Sequence, residues 1–296
     1  RRMTDVEAMM WNIEKDPFLS STFGSVTILD GVPDPDRFRR RLLRMAARIP
    51  RLHQRVAPGL GRLAPPEWGD DPTFDIDYHV RRVALPAPAG VRELLDFATA
   101  FVQDPLDRTR PLWEFCVVEG LDGDRAALVQ KMHHTITDGE GGIRMSEQFV
   151  DIERDAPDIE EVEVSVPPVV PTNVFDSAAD ALGHTVRRTM GVVGRTVDVT
   201  RDTLVHPTRI PAMGVDAAET ARSAVRQLTV TDRAHAPLWR NRSLRRHFDV
   251  IDVPFPEAKA AAAALGGSLN DLFVTGAAGG AARYHEQRGA PVESLR

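Results

Sequence analysis

Cysteine is almost missing from this chain. Cys116 is the single one in 296 residues, which excludes an internal disulfide framework and a cysteine-built zinc site. With no base beside it in sequence, Cys116 itself reads as a buried small hydrophobe rather than a nucleophile. A reducing, cytoplasmic compartment is the matching expectation. Lysine is scarce too: Lys15, Lys131 and Lys259 stand alone among 37 basic residues, a bias that reflects genome composition more than chemistry. No apolar run approaches the roughly 20 residues that a membrane span requires, and the N-terminus lacks the apolar stretch of a signal peptide. A net charge of −6 argues against nucleic acid as a partner. What is present is ordinary for a folded protein, 42% hydrophobic and 27% charged residues, with a length that favours two domains over one core.

Periodicity assigns the elements. Thr4 to Lys15 is predicted helical, with Val6, Met9, Met10 and Ile13 on one face. Gly24 to Asp30 is predicted as a strand. Asp34 is an N-cap followed by Pro35 at the first helical position, and the helix carries Phe38, Leu42, Met45 and Ile49 on one stripe until Pro50. Its arginines, Arg39, Arg40, Arg44 and Arg48, read as a solvated face rather than an anion-binding one. Phe74, Ile76, Tyr78 and Val80 alternate with Asp75, Asp77 and His79, which predicts a half-buried strand with His79 exposed. A helix over Val91 to Gln103 and a hairpin of Glu114–Val118 with Ala126–Met132 follow, joined at Leu121 to Asp124. Trp113, Phe115 and Val117 then share one face and Cys116 the other. Ile143 to Ile152 is predicted helical. Asp158 to Pro171 has the acidic, proline-rich composition of a linker, and two apolar stripes lie beyond it, Leu182 to Leu204 and Ala218 to Leu228. Those stripes suit packing against the protein's own domains, and less well a lipid surface. Leu244 to Phe255 resembles a strand, Glu257 to Leu265 a helix, and Ser268 with Asp271 a capping-box variant opening a last helix. The expected organisation is an N-terminal domain over 1–157, a linker and helical connection over 158–232, and the start of a second domain over 233–296, left incomplete at Arg296.

The chemistry concentrates in His133-His134-Thr135-Ile136-Thr137-Asp138-Gly139. Adjacent strand residues face opposite ways, so one histidine at most looks into a given cleft. Three readings compete. Metal binding is disfavoured, because diverging histidines rarely chelate one ion and no further ligand lies at the usual spacing. A satisfied core histidine, with Asp138 capping the next helix, is the structural alternative. General-base catalysis is the third, since an imidazole is suited to taking a proton from a hydroxyl or amine near pH 7.

The stretch matches the HHxxxDG motif of the CoA-dependent acyltransferase superfamily. Joined to Pro111-Leu112-Trp113-Glu114-Phe115 upstream, to Asn270-Asp271 downstream and to the opening Met3 to Trp11, it resembles the bacterial wax ester synthase/diacylglycerol acyltransferase family, particularly its actinobacterial members. The resemblance implies an α+β chloramphenicol acetyltransferase-like fold of two domains, each a mixed sheet flanked by helices, with the active-site tunnel between them. It implies His134 as general base, His133 turned away in support, Asp138 in a structural salt bridge and Gly139 permitting the turn. It also implies Asn270 and Asp271 lining or bracing the site and Pro111, Leu112 and Trp113 shaping the N-terminal domain or acyl path. The substrates it implies are acyl-CoA and either diacylglycerol or a long-chain alcohol, with no cofactor and no metal. Family members continue past this chain's last residue, so the rest of the second domain is expected in another chain or as further sequence. The expected location is cytoplasmic, peripheral to the inner membrane or to lipid inclusions. Two other functions fit less well. A condensation-type or polyketide-associated acyltransferase shares the histidines but gives no reason for the Pro111–Trp113 and Asn270-Asp271 motifs. A catalytically weak lipid-binding or inclusion-surface protein would rest on the helical stripes.

Overall fold

The computed structural model describes residues 1–57, 65–87, 89–137, 139–151, 153–154, 156–166, 237–239 and 243–292. They fall into two compact units, one holding everything up to residue 166 with Arg246–Phe248, the other holding the remainder. The expected stripes at Leu182 to Leu204 and Ala218 to Leu228 lie outside the described residues. Among the described residues no helix is long and apolar enough to cross a membrane.

The first unit is α+β. Its elements run α1 (Asp5–Ile13), β1 (Thr22–Leu29), α2 (Pro35–Arg48), β2 (Gln54–Ala57), β3 (Glu67–Asp70), α3 (Ile76–His79), β4 (Val80–Ala84), α4 (Val91–Gln103), β5 (Trp113–Leu121), β6 (Arg125–His133) and α5 (Gly139–Ser146). A four-stranded sheet has the order β1-β6-β5-β4, and β2 and β3 form a separate pair. β6 is antiparallel to both neighbours, while β4 and β5 are parallel, so the sheet is mixed. Strand alternation gives it two apolar faces. Trp113, Phe115, Val117, Leu128 and Met132 pack with Leu42, Met45 and Ala46 of α2. Cys116, Val118, Ala127 and Val129 pack with Leu94, Ala98 and Val102 of α4. Cys116 is therefore the expected small core residue, and burial raises its thiol to about 11.

Several local expectations need correction. The alternation from Phe74 to Val80 is not a strand throughout. The Asp75 carboxylate accepts from the Asp77 amide at 3.0 Å, an Asx cap that turns the backbone into one helical turn before β4. That turn puts Ile76 and His79 on the same side, and His79 is buried at 1% exposure, not solvated. The α5 helix begins at Gly139 and stops at Ser146, whose hydroxyl bonds back to Gly142 O at 3.0 Å. Gly139 is the first residue of that helix, and Ile143 to Ile152 is not one helix.

The arginine face of α2 is a docking surface, not a solvated one. Asp34 caps the helix through the Arg37 amide at 2.7 Å, as expected. Arg44 and Arg48 then bind Gln148, and Arg41, itself buried, pairs with Asp151 and reaches Pro157 O at 3.1 Å. Arg40 pairs with Asp158, and Arg39 with Asp77 and Glu161. Asp158 and Glu161, in the stretch read as a linker, and Asp151 before it thus pair with arginines of α2. Sequence composition could not show this, because the charges that make a linker look solvated are the ones that find these arginines.

In the second unit, α6 (Phe255–Ala264) and α7 (Leu269–Gln287) form a helical pair, and His285 is buried against Trp239. Leu244 to Pro254 is not a strand: it has no ladder partner among the described residues.

Gly24 marks how tightly the sheet meets α4. A Cβ there would lie 2.3 Å from Val102 Cγ2 and 3.1 Å from Gln130 O, and a β-branched neighbour on a helix has little rotamer freedom to yield. Gly24→Ala should cost about 1–3 kcal/mol in urea unfolding, and Gly24→Ala with Val102→Ala should recover part of that loss. Full stability in the single variant would show that β1 and α4 do not pack as described.

Candidate active site

The motif sits where the central strand β6 ends. Lys131 and His133 face the α4 side, Met132 the α2 side, and His134 follows the last strand residue, exposed. The expected divergence of the two imidazoles is present, and their environments differ.

His133 is 2% exposed. Its amide donates to Leu112 O at 3.0 Å, which brings the Pro111–Trp113 motif against the histidine motif. Its Nδ1 accepts from the Thr135 amide at 3.1 Å and lies 2.7 Å from Thr135 Oγ1, so these partners assign the ring proton to Nε2. Nε2 faces Glu14 Oε2 at 3.1 Å. The angle is poor for a hydrogen bond, and the contact is chiefly electrostatic. Burial would raise the Glu14 carboxyl, but His133, the Ser21 amide and Arg108 outweigh it and hold the group below its ordinary value. Arg108 lies 3.8 Å from Glu14 and its guanidinium sits 3.5 Å over the Trp11 ring.

His134 is held differently. Its amide donates to Ser21 O at 2.9 Å, and its ring lies tilted against Phe23, centroids 4.6 Å apart. Its backbone is fixed from the β1 side, while its ring is open to solvent. An exposed imidazole on a rigid strand end can take a proton from an approaching hydroxyl.

Lys131 has no role assigned from the sequence, and the structure supplies one. At 1% exposure it reaches Phe101 O and Asp104 O, both at 3.2 Å, at the end of α4, and lies 3.4 Å from Glu114. A cation at a helix C-terminus satisfies carbonyls that the helix leaves open. Trp113 is core: its indole donates to Leu52 O at 2.8 Å, and it stacks on His79. Leu112 is buried as well. These residues shape the domain beneath the motif. Asp138 lies outside the described residues. In the second unit, Asp271 completes the capping box with Ser268 that its spacing suggested, with Ser268 N and Oγ each 2.7 Å from its carboxylate. Those hydrogen bonds hold its pKa below the ordinary value. Asn270 is exposed in the first turn of α7. Among the described residues no group of three or more histidine, cysteine or acidic side chains is placed to hold a metal ion.

Residues 3–273 match the wax ester synthase/diacylglycerol acyltransferase catalytic domain. The chain belongs to the wax ester synthase/diacylglycerol acyltransferase family. A candidate diacylglycerol O-acyltransferase of Mycobacterium tuberculosis is 36% identical over 294 residues, 98% of this chain and 59% of its own length. A second from the same organism is 34% identical over 302 residues, 98% of this chain and 60% of its own. The chain therefore spans about three fifths of the length of these relatives. Among solved structures, the wax ester synthase/diacylglycerol acyltransferase of Marinobacter aquaeolei VT8 aligns at a TM-score of 0.42 and 26% identity, covering 64% of this chain and 46% of that one. The family resemblance drawn from the motifs is thereby shown. Glu14, Ser21, Arg108 and Thr135 were not singled out from the sequence. Only a fold that brings α1, the loop after α4 and the end of β6 together gives them a reason.

Removing Lys131 leaves the Glu114 carboxylate buried with only the distant Arg81, 3.9 Å away. Lys131→Met should cost about 3–5 kcal/mol, and adding Glu114→Leu should return much of it. Equal stability of the single variant and the unsubstituted protein would contradict the buried pair. His79 sets a pH dependence. Burial lowers its pKa from 6.5 to about 4 despite its hydrogen bond to Trp113 O. The folded ring binds its proton less tightly than the unfolded one, so stability is full above pH 6.5 and declines as the pH falls toward 4, by up to about 3 kcal/mol. His79→Gln should flatten that slope in urea titrations at pH 7 and 4.5; an unchanged slope assigns it to other groups.

Proposed function

We propose that this chain carries the base of an O-acyltransferase that moves a fatty acyl group from acyl-CoA to diacylglycerol or a long-chain alcohol, with His134 taking the proton. The observation that carries the reading is the unequal treatment of two adjacent imidazoles. His133 is buried, with Nδ1 hydrogen-bonded to Thr135 and Nε2 turned toward the Glu14 carboxylate, and His134 is held by its backbone with its ring exposed. The family supplies the substrates, and the named relatives favour diacylglycerol among acceptors.

In the proposed step the acceptor hydroxyl gives its proton to His134 as its oxygen attacks the thioester carbonyl. The carbon–oxygen bond of the ester forms, the carbon–sulfur bond breaks, and the imidazolium returns the proton to the departing CoA thiolate. No covalent acyl-enzyme is required. Bringing both substrates together supplies much of the rate. Asp138, Gly139, Asn270 and Asp271 belong to this reading as supports of that site. So does a cytoplasmic enzyme working at the inner membrane or a lipid inclusion, where the acceptor is found.

In the intact protein, His134→Ala should lower kcat by about 100-fold or more with the melting temperature kept, whereas His133→Ala should lose stability first. The assay follows CoA release from acyl-CoA with hexadecanol and, separately, with diacylglycerol. Normal turnover by folded His134→Ala removes the base from this residue. Acyl-CoA binding without turnover in the unsubstituted protein would favour a lipid-binding module.

A further inference from the structure

We propose that Glu14 is a positioning residue for the acyl-transfer base, a single carboxylate that fixes both chain segments flanking His134. The inference rests on His134 being that base. The Glu14 Oε1 atom accepts from the Ser21 amide at 2.7 Å, and the Ser21 carbonyl accepts from the His134 amide at 2.9 Å. The other oxygen, Oε2, faces Nε2 of His133, the residue covalently joined to His134, at 3.1 Å. One side chain thus reaches His134 by two routes, through the β1 side and through β6 itself. Arg108, stacked on Trp11 and bonded to its carbonyl at 2.8 Å, holds the carboxylate from behind at 3.8 Å.

Two features make this more than a convenient contact. Glu14 is the C-cap residue of α1, where the helix dipole favours cations and disfavours a carboxylate. A charge set against that local preference serves something other than the helix. The chemistry also uses both oxygens. An ionised carboxylate accepts at Oε1 from the Ser21 amide and, at 3.5 Å, from the Ser20 hydroxyl, while Oε2 sets negative charge 3.1 Å from His133 Nε2. Glutamine is almost the same shape but presents one acceptor and one donor, so one of the two contacts becomes donor against donor. Moving the His133 proton to Nδ1 would keep the contact with Thr135 Oγ1 but set N–H against N–H at the Thr135 amide.

The expected consequence is a misplaced base with substrate binding intact. In the intact protein, with CoA release from acyl-CoA and hexadecanol or diacylglycerol, Glu14→Gln should lower kcat by about 10- to 100-fold. The KM for acyl-CoA should stay within about twofold, the split that marks an interaction needed only in the transition state. A kcat within about twofold of the unsubstituted protein overturns the proposal, and so does a rise in KM at unchanged kcat. His134→Ala run beside it separates the layers. If it is inactive while Glu14→Gln is normal, the base stands and the positioning role falls. If it is itself fully active, both fall. Should Glu14→Gln fold poorly, the histidine ring nitrogens of the unsubstituted protein decide by 15N NMR at pH 7. A proton on Nε2 of His133 supports the arrangement, and one on Nδ1 alone overturns it.

Discussion

The end of strand β6 governs the rest of the molecule. Side chains alternate along a strand, so two consecutive histidines cannot share an environment. β6 is an inner strand, with β1 on one side and β5 on the other, and both neighbours grip its last residues. Leu112 O, just before β5, takes the His133 amide, and Ser21 O, just before β1, takes that of His134. An edge strand would fray at this point. An inner strand with backbone bonds from both sides holds its terminal residues in place. The two apolar faces exist to keep that strand in place, one layered by α2 and the other by α4.

Charge fixes the layers to the sheet, and burial decides which charges matter. Pairs such as Arg154 with Asp30, about four fifths exposed on both sides, contribute about 0–1 kcal/mol. Lys131 and Arg41 differ, because each is almost wholly buried and an unpartnered buried charge is costly. Lys131 ties the end of α4 to β5 and β6. Arg41 ties α2 to the segment after α5. Both layers are thus anchored by one enclosed cation each, with the surrounding arginines adding specificity of docking more than stability. The scarcity of lysine gains meaning here, since one of three lies inside the core directly before the histidine pair.

Much of this was legible beforehand. The hairpin of β5 and β6, the capped α2, the α4 helix, the opposite faces of Trp113 and Cys116 and the divergence of the histidines all follow from period and caps. What failed has physical reasons. Phe74 to Val80 carries perfect alternation, yet Asp75 offers its own carboxylate to the backbone and a helical turn wins over the ladder. The arginines of α2 and the acids after residue 150 each read as solvated because pattern analysis considers one segment at a time, whereas opposite charges over a hundred positions apart neutralise each other in the fold. Glu14 left no trace at all. A glutamate at the end of an amphipathic helix is unremarkable until the chain returns a buried imidazole to it.

Three histidines of one unit show why a motif needs its surroundings to acquire a role. His79 is stacked between Phe74 and Trp113, donates from Nδ1 to Trp113 O, and has no hydrogen-bond partner for Nε2 among the described residues. Burial outweighs its hydrogen bond to Trp113 O and the pull of Asp71 and Asp75 and makes its charged form unfavourable, so it works as a flat apolar ring with one donor. His133 is equally buried and likewise has no hydrogen bond at Nε2 among the described residues, but there a carboxylate lies 3.1 Å away, and the Thr135 amide donates to Nδ1. Both rings are enclosed, at 1% and 2% exposure. His134 alone combines an anchored backbone with a ring at the surface of the unit, and it inherits that rigidity from its neighbour. The first histidine of the pair is enclosed, and the second combines a fixed backbone with an exposed ring.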